Sequence, residues 1–389
     1  MSYFSSDFTL GILGGGQLGK MLLYETRKWD IRTRVMDPSA EAPARLACNT
    51  FIQGDLMDYQ AVMDFGRDAD LLTIEIENVN ARALEDLEAS GVRVYPQPGV
   101  LQVIQNKARQ KLFYRDAGIP TAPFSRYAYT SEISDSLRNG GIAFPFVWKS
   151  AQFGYDGQGV KIVRNAEDLR GLPNVECIAE ELVPFKNELA VIVARNSLGQ
   201  TRTYPVVEME FHPEANQVEY VLCPARIPEG VAQKAREVAL QVSESLGHVG
   251  LLAVELFRTQ EDEILVNEIA PRPHNSGHYS IEGSFTNQFE QHLRAILGLP
   301  LGQTDSKVTA VMVNLVGAEG YRGPVHYQGL EDILAMPGVT PHIYGKKETR
   351  PFRKMGHVTI VDPSIDRARE RAAEVKQRIE VVSKKQDHE

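Results

Sequence analysis

The chain has 389 residues, 43% of them apolar and 24% charged, which suits two or three ordinary globular domains at roughly 150 residues each. This composition excludes a disordered or fibrous chain, and a formal charge of −9 argues against a broad nucleic-acid or anionic-membrane surface. Three cysteines, Cys48, Cys177 and Cys223, are widely spaced and include no CxxC, which fits a reducing compartment without disulfides or a zinc knuckle. No apolar run is long enough to cross a bilayer, and the start Met1–Asp7 lacks a basic secretion signal, so a cytoplasmic protein is expected.

The first hundred residues alternate strand-like and helix-like segments. Strands are expected at Phe8–Leu13, Arg32–Met36, Leu71–Ile76 and Val92–Tyr95, with a helix from Leu18 to about Trp29. Such alternation implies a Rossmann-like parallel sheet with crossover helices. A helix over Gln105–Ala117 ends at Gly118 and Pro120. Closely spaced strands follow at 146–149, 160–163, 176–180, 188–193 and 203–207, the signature of an antiparallel α+β module. A helix over Val231–Leu246 precedes strands at 251–257 and 263–269, and another helix covers Gln288–Leu297. Short strands at 310–316 and 357–361, a charged helix after Ser364 and a polar, frayed tail from Lys384 complete the chain. The expected domains are 1–102, 103–299 with a lid at about 124–182, and a small β-rich unit at 300–389.

Gly14–Gly19 spells GxGxxG between a strand and a helix, with Asp37 about 20 residues on, as in dinucleotide sites. The plainer reading is a tight turn whose amides bind some other anion. A second glycine loop, Phe153-Gly-Tyr-Asp-Gly-Gln-Gly159, lies between two strands and reads as a phosphate-covering flap beside Lys149, or as an ordinary hairpin. Glu255 and Glu268 oppose one another if a symmetric hairpin is centred between Glu261 and Asp262. Like charges so placed repel, and an oxygen-liganded cation such as magnesium, with Asn267 alongside, removes that cost. Solvated glutamates are the bland alternative, disfavoured by the apolar Val254, Leu256, Val266 and Ile269.

The loop Ile269–His278 holds two prolines and a glycine, so it is irregular, and its Arg272, His274 and Asn275 suit ligand contact. Zinc at His274 and His278 would need a helix there. Lys346–Lys354 is a local basic cluster, either a solvated turn or a phosphate clamp. His212 and His248 carry no role from spacing alone.

The order of these pieces resembles the ATP-grasp superfamily. The segments Phe-Gly-Tyr-Asp-Gly-Gln-Gly, Pro-Arg-Pro-His-Asn-Ser-Gly-His and Arg-Pro-Phe-Arg-Lys-Met-Gly-His resemble its 5-(carboxyamino)imidazole ribonucleotide synthase family, from Gly11 to about Val361. The resemblance implies ATP, Mg2+ and bicarbonate, with carboxyphosphate formed and its carboxyl passed to the amine of aminoimidazole ribonucleotide. It further implies that Lys107 and Lys149 contact ATP phosphates beneath a flap of Phe153, Gly154, Tyr155, Asp156, Gly157, Gln158 and Gly159. Glu180, Glu181, Leu182 and Val183 would line the adenine slot, Glu188 would bind ribose, and His212 and Asn267 would lie near the nucleotide. Glu255 and Glu268 would hold the metal. Gln17, Leu18, Glu77, Tyr155, Asp156, Gln158, Arg272, His274, Asn275, Lys346, Arg350 and Arg353 would surround the ribonucleotide, with Arg272, Asp156 and His274 closest to the chemistry. Phe153, Gln158 and Phe352 depart from the residues common in relatives, Phe352 standing where glycine is usual. A homodimer is implied, with no nucleic-acid or membrane partner. Competing readings are formate-using glycinamide ribonucleotide transformylase, a biotin carboxylase-like enzyme, an NAD-dependent oxidoreductase, and a non-catalytic nucleotide-binding regulator.

Overall fold

A computed structural model describes residues 3–152, 159–212, 215 and 217–383. The flap positions Phe153, Gly154, Tyr155, Asp156, Gly157 and Gln158 lie outside the described residues, as does the tail from Lys384.

The first module is a five-stranded parallel sheet of β1 (Thr9–Leu13), β2 (Arg32–Asp37), β3 (Thr50–Gln53), β4 (Leu71–Ile74) and β5 (Arg93–Val94), in the order 3-2-1-4-5. The strand Thr50–Gln53 was not expected: it is a short edge strand with no fully buried residue, so it lacks an apolar run. The anticipated single helix over 105–117 is instead two helices, Pro98–Ile104 and Lys107–Asp116. Asn106 separates them because its side chain accepts the Arg109 amide and caps the second.

A separate four-stranded antiparallel sheet contains β6 (Phe124–Tyr127), β7 (Phe146–Ser150), β8 (Val160–Val163) and β9 (Cys177–Glu181), ordered 6-9-7-8. Around Tyr127, Phe146, Trp148 and Val163 it has its own small core. The largest sheet begins with β10 (Phe185–Arg195), β11 (Thr201–Thr203), β12 (Val207–Phe211), β13 (Val218–Cys223), β14 (Gly250–Thr259) and β15 (Ile264–Ala270). The strand anticipated at 203–207 is two strands, interrupted around Pro205.

The C-terminal segment supplies β16 (Ala310–Val316), β17 (Gly323–Gln328), β18 (Val339–Ile343), β19 (Glu348–Thr349), β20 (Lys354–Val361) and β21 (Glu380–Ser383). Strands β16, β20 and β18 extend the largest sheet, whose order is 15-14-10-12-13-16-20-18, with β11 beside β10. One backbone ladder therefore runs from the paired glutamates to the strand that follows the basic segment. The helix Gln288–Ile296 ties this sheet to the first module: Phe289, Leu293 and Ile296 share a core with Leu18, Met21 and Leu22. His292 on that helix lies 2.9 Å from Thr73 Oγ1 on β4. Among the described residues no helix is long and apolar enough to cross a membrane.

Candidate active site

The site is built on β10, β14 and β15. Glu255 pairs with Glu268 across β14 and β15, as the hairpin reading expected, but by a different route. Nearer the turn, Arg258 pairs with Ile264 and Leu256 with Val266, so the hairpin is centred on Glu261. The register then shifts between Glu255 and Leu256, leaving Asn267 as an extra residue. Such a bulge re-aims side chains, and here both Asn267 and Glu268 reach lysines that lie above the sheet. Across the next ladder Glu255 pairs with Ala190, and Glu188 pairs with Phe257. Because paired residues share a face and side chains alternate along a strand, Glu188, Glu255 and Glu268 occupy one face.

Three lysines pair with Glu268 of this face and with Glu180 of β9. Lys107, at the start of the helix Lys107–Asp116, bonds to Glu268. Lys149 on β7 lies 3.0 Å from both Asn267 Oδ1 and Glu180 Oε2. Lys111, one helical turn beyond Lys107, lies 3.2 Å from Glu180 Oε1 and 2.6 Å from Thr121 Oγ1. Burial outweighs its acidic partner and brings the Lys111 ammonium down to about 8. Burial works against ionisation of Glu268 and Glu180 as well, yet the neighbouring ammonium groups win and both carboxyls are held below the usual range. Glu255 and Glu188 go the other way. Burial pushes Glu255 up, reinforced by the Glu268 and Glu188 charges, and burial takes Glu188 to about 7. Two carboxyls of the cluster, Glu188 and Glu255, are thus ones whose ionised forms its own lysines do not fully compensate.

That arrangement fits a hard divalent cation. Carboxylate and amide oxygens are its preferred donors, and magnesium usually takes only one or two carboxylates, filling the rest of its shell with water and phosphate. Among the described residues no three or more His, Cys, Asp or Glu side chains converge as a metal cage. His274 and His278 do not form a zinc pair. His274 Nε2 faces Glu255 Oε1 at 3.5 Å, whereas the buried His278 ring stacks on His357.

The first glycine loop serves the protein's own carboxylates. Glu75, half-buried just beyond β4, accepts the Gly16 and Gly19 amides at 2.9 Å each, and Asp37 accepts the Gly15 amide at 2.7 Å. A Cβ on Gly14 or Gly16 would stand 2.4 or 2.5 Å from the Glu75 side chain. The glycines make room for Glu75, and the amides that a dinucleotide pyrophosphate would need are already used. Behind this turn Arg272 forms an ion pair with Glu77 at 2.9 Å. Gln17 and Leu18 begin the helix Gln17–Lys28, and Lys20 on the same helix donates to the Ile343 and Tyr344 carbonyls at 3.1 Å each. This brings the start of the basic segment to the glycine turn.

Within that segment Lys346 donates to the Lys354 carbonyl at 2.8 Å, Arg353 donates to the Glu348 carbonyl at 2.6 Å, and Arg350 is exposed. Phe352 adopts φ 60°, a left-handed conformation that favours glycine, and its ring lies 6.0 Å from His212. Among the adenine-slot candidates, Glu180 directs its carboxylate between two lysines, while Glu181 and Leu182 are exposed at the end of β9. Gly159, at the far end of the flap, receives a hydrogen bond from the Ser150 amide at 2.9 Å. Asn275 exchanges two amide hydrogen bonds with Asn314, at 2.9 and 3.0 Å.

Sequence reasoning passed over three polar residues here, Glu75, Lys111 and Asn314, and gave Lys354 no role of its own within the basic cluster. The i, i+4 spacing from Lys107 would have pointed to Lys111. Lys354 sits inside the basic run, and its charge lowers the proton affinity of Glu255. Nothing local marks Glu75 or Asn314, because their partners are remote in sequence.

Comparison with known proteins agrees along the chain. Residues 8–105 match the ribonucleotide synthetase preATP-grasp domain, 112–289 the ATP-grasp domain, and 310–371 the phosphoribosylaminoimidazole carboxylase C-terminal domain. An N5-carboxyaminoimidazole ribonucleotide synthase of Bacillus subtilis is 37% identical over 357 residues, covering 90% of this chain and 91% of that one. The crystal structure of the Thermotoga maritima synthetase superimposes with a TM-score of 0.89 at 42% identity, covering 97% of this chain and 100% of the other. An Aspergillus clavatus synthase, solved with ADP and 5-aminoimidazole ribonucleotide, gives 0.86 at 32% identity, covering 96% and 99%. The chain belongs to the N5-carboxyaminoimidazole ribonucleotide synthase family of ATP-grasp enzymes.

Proposed function

We propose that this chain uses ATP and bicarbonate to carboxylate the exocyclic amine of 5-aminoimidazole ribonucleotide, releasing ADP and phosphate. The carrying observation is the half-buried face on which Glu188, Glu255, Asn267 and Glu268 meet Lys107 and Lys149, with the loop of Arg272, His274 and Asn275 at its edge. Bicarbonate is a poor electrophile, and phosphorylation by ATP gives it a leaving group.

In this reading Lys107 and Lys149 hold the ATP phosphates, and Glu188 binds the ribose. The β9 end, Glu180–Val183, flanks the adenine. Glu255 and Glu268, with Asn267, would hold Mg2+, which when bound neutralises charge on the phosphoryl oxygens. Lys107 now neutralises Glu268 and is the group that turns to phosphate when nucleotide enters. Arg272, poised on Glu77, offers a fork-shaped cation to carboxyphosphate. His274 and Asn275 orient the imidazole, and Gln17, Leu18 and Glu77 face its ribose. Lys346, Arg350 and Arg353 clamp the 5′-phosphate, which accounts for a basic run in an acidic chain. The flap candidates Tyr155, Asp156 and Gln158 would cover the intermediate and exclude water. We also propose a homodimer, assembled through the first module.

The test is phosphate release from magnesium-ATP with and without aminoimidazole ribonucleotide. Stimulation by the ribonucleotide that disappears when bicarbonate is removed supports the assignment. No stimulation overturns the substrate and directs attention to glycinamide ribonucleotide with formate.

A further inference from the structure

Two of the segments singled out in the sequence end in the same dipeptide, Gly277-His278 and Gly356-His357, and the structure stacks these two histidines on one another. Their ring centroids are 4.6 Å apart with an interplanar angle of 23°. The contact is the middle rung of a longer match. On the largest sheet Asn314 of β16, His357 of β20 and His342 of β18 are direct neighbours across the ladder, so their side chains form a row on one face. Opposite the row, Asn275, His278 and Glu282 follow at steps of three and four along the short helical segments Asn275–Gly277 and Ser280–Gly283, which is the spacing of one helical face. The pairing is one to one. Asn314 exchanges two hydrogen bonds with Asn275, His357 stacks on His278, and His342 Nε2 lies 2.9 Å from Glu282 Oε1.

Both histidines in the middle are buried and neutral. Gln288 Oε1 accepts the His274 amide, which fixes its Nε2 as a donor to the His274 carbonyl and to His278 Nδ1, each 2.9 Å away. His278 therefore accepts at Nδ1 and carries its proton at Nε2. His357 Nδ1 lies 3.1 Å from the Tyr344 hydroxyl, and its other face stacks on His342 at 4.4 Å. The two glycines permit this approach: a Cβ on Gly277 would come within 2.3 Å of Ile192, and one on Gly356 within 2.7 Å of the His342 carbonyl.

We propose that the row Asn314–His357–His342 is a positioning device that holds the ribonucleotide-contact loop in register with the basic segment. The zipped helical segment begins at Asn275, directly after Arg272 and His274, and β20 directly follows Lys346, Arg350 and Arg353. Locking Asn275 and His278 onto β16 and β20 thus sets the separation between the groups that face the imidazole and those that hold its phosphate. The nucleotide lysines lie on other elements, the helix from Lys107 and β7, and do not depend on the row. This inference rests on the proposed substrate.

The experiment compares His357→Leu, which removes both ring stacking and the Tyr344 contact, with His357→Phe, which restores a flat ring. His357→Leu should lower kcat/KM for aminoimidazole ribonucleotide by about tenfold or more, while the calorimetric Kd for magnesium-ADP stays within about twofold of wild type. His357→Phe should recover most of the loss. Amide exchange of residues 275–281 in the ligand-free protein should quicken in the Leu variant while the helix Lys107–Asp116 keeps its protection. Should His357→Leu fail to fold, His342→Phe at the half-buried end of the row should give a loss of about threefold in the same parameter. A parallel loss of ADP affinity, or unchanged exchange and kcat/KM, overturns the proposal. Because the exchange measurement needs no substrate, a wild-type protein that ignores aminoimidazole ribonucleotide would defeat the substrate assignment while leaving the row to be judged on its own.

Discussion

Glu255 faces Glu268 across β14 and β15 because Asn267 bulges out of the ladder. The pair disfavours the ligand-free fold, and in the proposed reading it is there to hold Mg2+. Burial and two neighbouring carboxylates push the Glu255 carboxyl up, while Lys107 serves Glu268. Glu255→Gln should therefore stabilise the ligand-free protein, raising Tm by about 2 °C. The same variant should lose most of the thermal shift produced by magnesium-ADP and fall by about 10²-fold or more in turnover. Thermal melts with and without magnesium-ADP check both halves. A lower ligand-free Tm would show that the pair is not under strain.

The glutamate pair also shows how far a linear reading reaches. Counting outward from the turn located both residues, since hairpin pairing is local. The assumed centre was half a residue out, and the bulge at Asn267 made up the difference. A bulge depends on what the extra side chain finds above the sheet, here Lys149 on a strand about 118 residues earlier in the chain. Hairpin arithmetic carries no such information.

Lys111 is the buried cation with the least evident purpose. Its ammonium links Glu180 of β9 to Thr121, whose hydroxyl donates to the Val266 carbonyl at 2.7 Å, next to the bulge. It therefore joins the small sheet to the glutamate hairpin. Lys111→Met keeps the stem and removes the charge, leaving Glu180 to Lys149 alone. Breaking a buried ion network in this way should cost about 3 kcal/mol. Drawing Lys149 toward Glu180 should also weaken magnesium-ADP binding by about tenfold. Urea titration and calorimetry test the two effects, and an unchanged ADP affinity would confine Lys111 to stability.

Glu75 closes the dinucleotide question on physical grounds. Its carboxylate takes two of the amides that GxGxxG would present to a pyrophosphate. Wild-type protein should thus give no saturable NADH fluorescence change at concentrations where nicotinamide enzymes bind. Glu75→Gln can accept only one amide well and should lose about 1–2 kcal/mol of stability. The motif was legible and its occupant was not, because Glu75 lies about 59 residues beyond Gly16. The same limit hid the Asn314–His357–His342 row, whose members come together only through non-consecutive strand pairing.

Buried neutral histidines should make the fold acid-sensitive. Burial, with the Arg195 charge adding to it, brings His248 down to about 4, and burial, with His248 adding to it, brings His292 down to about 3. His278 and His357 shift the same way, burial again being the main cause. An unfolded histidine titrates near 6.5, so below about pH 6.5 the unfolded chain binds protons that the folded one refuses. The stabilisation is complete above that pH and drains away as pH falls, at up to about 1.4 kcal/mol per pH unit for each such histidine. Urea midpoints at pH 7.5, 6.5 and 5.5 should fall progressively. In His292→Gln, whose amide can still meet Thr73 and the Leu251 amide, the slope should be shallower by about one proton. An identical slope in that variant would mean that His292 already titrates in the folded protein.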